Sequence, residues 1–286
     1  MSTRTRTPKH HRRPTVGMSV AHALAWVYAL LLVVPLYYLV VSAFKANQGI
    51  FATPLLPTFS EGVANFLAAW ENAALGKALL NSVYVTLGAE VVTLLLALPA
   101  SYAIARARGR VGTWLERVFG LGLLVPTFAA LVPAVMLAVM FGLFHNKTFL
   151  VLFYPATALP VSVILLTQFI RAIPLELEES AAMDGASRWA VMLRIILPLA
   201  GPGIVTIFIL NFLNFWNEYL FALVIAGPEE SQRTAQVAVP ALVSLHVTQY
   251  GVVSAGTVIS MIPMYAVFVL LRRRMETAML AGAVKM

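Results

Sequence analysis

The chain has 286 residues, of which 60% are hydrophobic and 11% charged, with a net charge of +8. Soluble domains carry about a quarter of their residues as charges to cover a water-facing surface, so a soluble protein is excluded. The lack of cysteine rules out disulfides and thiolate metal sites, the five scattered histidines argue against a metal cluster, and basic residues gathered at the ends of apolar runs argue against a nucleic-acid partner.

Residues 1–17 form a basic tail holding Arg4, Arg6, Lys9, Arg12 and Arg13. Behind it, one membrane domain over 18–286 holds six apolar stretches, at 20–44, 79–105, 118–144, 149–170, 203–226 and 252–271. Each has about the length of a helix crossing a hydrocarbon core. Helices are expected because a spanning backbone must satisfy its amides within its own segment, and the alternation of barrel strands is absent. Pro35, Pro99, Pro126, Pro133, Pro155, Pro160 and Pro263 fall inside spans and each can kink its helix. The first stretch is longer than a signal-peptide core and ends without a clean small-residue cleavage motif, so a retained helix is expected.

Six spans with the N-terminus inside place sixteen of the 20 lysines and arginines in the cytoplasm. Only Lys45, Lys77, Lys147 and Arg233 fall outside. The positive-inside rule therefore predicts that both termini are cytoplasmic. The 45–78 and 227–251 connections lie outside, the first expected to form short interfacial helices around Pro54 and Pro57.

The cytoplasmic connection, 171–202, reads as two short helices around a tight turn. Pro174 suits a first helical position, and Glu176, Glu178 and Glu179 favour the positive end of a helix dipole. Asp184-Gly185 stops that helix, because glycine reaches the left-handed conformation that closes one. A second helix is expected from about Ser187 to just before Pro198, with Trp189, Met192, Leu193 and Ile196 forming one apolar stripe.

Within this connection, Glu179-Ser180-Ala181, Gly185, Ile195, Leu197 and Pro198 resemble the EAA loop of ABC-importer permeases at every spacing. Ser180 departs from the usual alanine. Asp184-Gly185-Ala186 and Pro174 are similar to the carbohydrate-uptake branch. So are Ser42-Ala43-Phe44-Lys45, Asn65-Phe66, Asn81-Ser82, Trp216-Asn217-Glu218 and the closing Gly282-Ala283-Val284-Lys285, which resembles the maltose-permease small-subunit type.

The resemblance implies an all-α, six-helix type I importer permease in the bacterial cytoplasmic membrane. Such a permease translocates a sugar, here expected to be a di- or oligosaccharide, by alternating access; a polyamine, phosphate or peptide is the alternative cargo. Implied partners are a second homologous permease, two ABC ATPase subunits, an extracytoplasmic solute-binding protein and membrane lipid. It also implies that Glu178, Glu179, Ser180, Ala181, Asp184, Gly185, Ala186, Ile195, Leu197 and Pro198 couple this chain to the ATPase. No phosphate loop is present: the one Gly-Lys pair, Gly76-Lys77, is followed by Ala78. No cofactor is expected in this chain, and ATP with Mg²⁺ would be bound by the partner ATPases. No catalytic residue is expected.

Polar residues within spans are open to two readings. Asn211, Asn214 and Glu218 fall at i, i+3 and i+7, either as helix–helix hydrogen bonds or as the wall of a sugar path that includes Asn217. Trp216 is either a sugar-stacking ring or an interfacial anchor. Glu90 suits a structural partner or a wet cavity better than a proton relay.

Overall fold

The computed structural model describes residues 16–243 and 248–283. Most of the basic tail and the end of the Gly-Ala-Val-Lys sequence lie outside the described residues. Thirteen α-helices occur among those described, with no strand.

Helix α1 (Val16–Ser42) opens the chain, followed by the short α2 (Asn47–Ala52) and α3 (Ala64–Asn72) of the first long connection. Two helices carry the centre of the bundle, α4 (Leu75–Arg106) and, later, α7 (Thr148–Arg171), and theirs is the most extensive pairing in the molecule. Between them run α5 (Arg110–Gly122) and α6 (Leu131–Met140). The segment after α7 contains α8 (Glu176–Met183), α9 (Arg188–Val191) and α10 (Leu197–Leu199). Then come α11 (Gly201–Asn217), α12 (Ala235–Ala238) and α13 (Tyr250–Ala283).

The α4–α7 contact is close because α4 turns small residues inward. Ala89 shares a buried cluster with Leu150 and Tyr154 of α7, and Ala97 one with Val163. Small side chains let helix backbones approach where lipid supplies no hydrophobic drive between helices. Ser101 Oγ then donates across to the carbonyl of Val163 at 3.1 Å. By contrast α1 is almost wholly exposed, and it flanks a groove of about 590 Å³ against α13 that includes Leu36, Val40, Ile262 and Tyr265.

Where six continuous spans are expected, four helices are long and apolar enough to cross a membrane by themselves: 20–42, 75–106, 148–171 and 250–272. Two further pairs reach that length only together, and both are bent, by 83° and 74°. The expected span 118–144 breaks between α5 and α6, where Pro126 holds an extended conformation and donates no amide hydrogen. The expected span 203–226 also breaks. Its helix α11 ends at Asn217, Glu218 is extended, and a separate π turn runs from Ala222 to Ala226.

At the end of the bundle opposite the 171–202 segment, buried polar side chains tie the connections down. Asn65 Nδ2 donates to the carbonyls of Ala43 and Lys45, both at 3.0 Å. The Lys45 ammonium, itself buried, donates to the carbonyl of Thr53 at 2.6 Å. Asn81 Nδ2 holds the carbonyl of Arg233 at 2.9 Å, and Ser82 Oγ accepts the amide of Ala235 at 2.8 Å.

Candidate functional site

Helix α8 closes in a Schellman turn. The amide of Gly185 donates to the carbonyl of Ala182 at 3.0 Å, and that of Ala186 to Ala181 at 2.9 Å. This pairing requires a left-handed residue, and Gly185 supplies it at φ +83°. A Cβ at Gly185 would meet nothing within 4 Å, so backbone conformation rather than crowding calls for glycine. Ser187 then caps α9 by accepting the amide of Ala190 at 3.3 Å.

The second arm runs further than expected. It does not stop before Pro198 but passes through a π turn at Met192–Ile196 into α10 and ends at Leu199. In that turn the amide of Leu197 reaches back five residues to Met192. Widening the helix just before the proline moves aside the carbonyl its ring would strike.

The expected single stripe divides between two faces. Met192 and Ile196 are buried with Val191 against Leu98, Leu166, Ile170 and Ile207 of the bundle. Trp189 (66% exposed) and Leu193 (51%) point away, beside Met183 at the tip (89%). Ala181, Ala186, Ile195 and Leu197 line the edge of the buried cluster, whereas Glu179, Ser180, Asp184, Gly185 and Pro198 are exposed. The elbow therefore has an anchored underside and an open outer face carrying apolar, acidic and basic groups.

Glu178 stands apart from its acidic neighbours. It is buried and faces α4, where Arg106 Nε donates to Oε1 at 2.6 Å and the Tyr102 hydroxyl donates to Oε2 at 2.8 Å. Arg106 Nη2 also reaches the carbonyl of Ile173 at 3.0 Å. A second ion pair, Arg171 to Glu116 at 2.8 Å, ties the end of α7 to α5, with Gln168 donating to the same carboxylate.

The polar residues of the fifth stretch do not share one surface. Asn211 is buried and donates to Ser162 Oγ of α7 at 3.1 Å, an interhelical bond. Glu218 caps the turn beyond the break by accepting the amides of Phe221 and Ala222, each at 2.9 Å, and the Tyr154 hydroxyl at 2.7 Å. Trp216 is 2% exposed, stacked on Phe212, and donates Nε1 to the carbonyl of Ser260 at 3.2 Å. Its ring faces α13 rather than a passing ligand or the lipid boundary. Asn214 and Asn217 alone of the five are exposed, on the same side as Leu210. Glu90 is 1% exposed, and neither of its oxygens meets a hydrogen-bond partner among the described residues. No group of His, Asp and Glu able to hold a metal ion occurs among the described residues.

Helices of membrane length with a two-armed elbow anchored at one end define a multi-pass membrane protein. The chain belongs to the family of binding-protein-dependent transport system inner membrane components, which matches residues 95–280. It is 30% identical to the diacetylchitobiose uptake system permease protein NgcG of Streptomyces coelicolor, over 92% of this chain and 88% of that one. It is 27% identical to the melibiose/raffinose/stachyose import permease protein MelC of Bacillus subtilis, over 95% and 98%. In fold it is similar to a chain of a bacterial ABC transporter involved in the import of alginate, with a TM-score of 0.79 at 21% identity, covering 93% of this chain and 99% of that one.

Proposed function

We propose that this chain is the permease subunit of a binding-protein-dependent ABC importer that carries a sugar of the di- or oligosaccharide class into the cell. A second, related permease completes the translocation path, and an extracytoplasmic binding protein delivers the sugar. Two partner ATPases bind and hydrolyse Mg-ATP on the cytoplasmic side, where both termini of this chain lie. The observation that carries the reading is the elbow's two-sidedness: its underside is locked into α4, α7 and α11, while Met183, Trp189 and Leu193 are held out with the exposed Glu179. An element built this way takes up a push on its outer face and passes it to the bundle. Relatives named for oligosaccharide uptake support a sugar as cargo.

The test is reconstitution of the chain with its partner subunits and loaded binding protein in proteoliposomes. ATP-driven accumulation of a labelled di- or oligosaccharide is expected. Gly185→Asp should leave the amount of inserted chain near normal while lowering ATPase co-purification and uptake together. Uptake of a polyamine, phosphate or peptide in place of sugar would overturn the cargo assignment. Full ATPase association and uptake with Gly185→Asp would overturn the role of the elbow.

A further inference from the structure

Two of the three acidic side chains at the start of α8, Glu176 and Glu179, are exposed. Glu178 turns the other way, and two donated hydrogen bonds converge on its carboxylate. Tyr102 and Arg106 sit four residues apart on the last turns of α4 and so share one helix face. They take one oxygen each of its carboxylate. The ion pair is well shielded, with side-chain exposures of 18% for Arg106 and 9% for Glu178. The second nitrogen of Arg106 holds the carbonyl of Ile173 in the link between α7 and α8. One guanidinium therefore fastens α4 both to the elbow and to the chain entering it. Leu94, Leu98 and Ala105 of α4 share an apolar cluster with the elbow's Val191, Met192 and Ile196. Apolar contacts resist separation but can slide. Charge-assisted hydrogen bonds are directional and fix register.

We propose that Tyr102, Arg106 and Glu178 form a latch that makes α4 follow the elbow. They are positioning residues for transport: Glu178 acts inward on α4, not outward on a partner. This rests on the coupling role assigned to the elbow above. With the latch intact, displacement of the elbow carries the end of α4, and through the α4–α7 contact the centre of the bundle, as one body. With it broken, the elbow still moves under the ATPase but α4 lags. ATP is then consumed with less solute moved.

The experiment measures solute accumulated per ATP hydrolysed, in the complete transporter in proteoliposomes. Glu178→Gln and Arg106→Gln are each expected to lower that ratio about tenfold, the scale of a shielded hydrogen bond to a charged group. Tyr102→Phe keeps the ring's packing and should lower it about twofold to threefold. The exchanged pair Arg106→Glu with Glu178→Arg should recover most of the loss, which a merely structural defect would not. Single variants with the wild-type ratio would overturn the latch. So would an exchanged pair no better than the singles. Loss of ATPase association in Glu178→Gln would place this carboxylate at the partner surface, and that too overturns it. A wild-type transporter that hydrolyses ATP without uptake removes the coupling role itself, and the latch with it, an outcome visible before any variant is compared.

Discussion

Glu218 does the work of three separate contacts with one side chain. As α11 ends, the amides of Phe221 and Ala222 would be left without acceptors at the start of the next turn; its two oxygens receive them, and Tyr154 bonds the same group. Buried donors that lose their acceptor keep the full cost of desolvation, about 1–3 kcal/mol. Glu218→Ala is therefore expected to destabilise the chain by about that amount, and Glu218→Gln, which retains an acceptor, by less. Thermal unfolding of the purified variants in detergent checks this, and equal midpoints for wild type and Glu218→Ala would refute it. Such a role was not legible in the sequence. Asn211 and Asn214 sit on one continuous helix yet differ in burial, and Glu218 lies beyond the helix end, where its carboxylate bonds Phe221, Ala222 and Tyr154. Trp216 misleads for a related reason. A tryptophan near a span's end resembles an interfacial anchor, but this one finds its acceptor at Ser260 on α13. Gly185 was legible, because the Asp-Gly stop depends on local backbone geometry alone. Among Glu176, Glu178 and Glu179, nothing but the phase of α8 against α4 distinguishes the inward one.

At the scale of elements, the apolar stretches were readable because length and hydropathy are summed properties that bends do not disturb. A bend at Pro126 was readable as well, but not that the span would divide there. Pro126 and the Gly201-Pro202 pair are tolerated in membrane helices, and only packing decides whether they kink a span or divide it. The 74° bend shows what packing asks for: just beyond it, α11 must pass the ring of Phe169. A Cβ on Gly203 would lie 2.4 Å from Phe169 Cγ, a separation no side chain tolerates. Gly203→Ala should therefore push α11 off α7 at a cost of about 1–3 kcal/mol, the usual penalty of an overfilled contact. Adding Phe169→Ala opens that space and should recover part of the loss. Unfolding midpoints of the single and double variants measure the coupling. A Gly203→Ala chain as stable as wild type would mean that α11 does not approach α7 this closely. The motifs shared with the carbohydrate-uptake branch also gain a physical meaning at this scale. Lys45, Asn65, Asn81 and Ser82 are the side chains that fasten the connections opposite the elbow.

For the molecule as a whole, the decisive quantity is which end faces the cytoplasm, and charge argues it from two directions. Arg106, Arg171, Arg188 and Arg194 all lie at the elbow end, with the exposed Arg108 and Arg110 just beyond α4. The four cations assigned to the other side gather at the opposite end and are individually engaged. Lys77 faces Glu230 at 3.8 Å, Lys147 donates to the carbonyl of Ser231 at 2.7 Å, and Arg233 donates to that of Ala73 at 2.8 Å. Lys45 is held by Thr53. An excess of lysine and arginine at one end over the other is the asymmetry that orients a chain in the membrane. The elbow should therefore be cytoplasmic. Because the chain has no native cysteine, single cysteines report its sidedness without background from this subunit. Ala186→Cys, at the elbow turn, should react with a membrane-impermeant maleimide only after the cells are permeabilised. Glu229→Cys, exposed at the other end, should react in intact cells. The reverse pattern would turn the molecule over and carry the proposed ATPase contact to a side of the membrane where there is no ATP. Labelling of both sites in intact cells would mean that the chain does not hold one orientation. The two cysteines sit at opposite ends of the same bundle, so one labelling experiment tests the charge argument and the side of the elbow together.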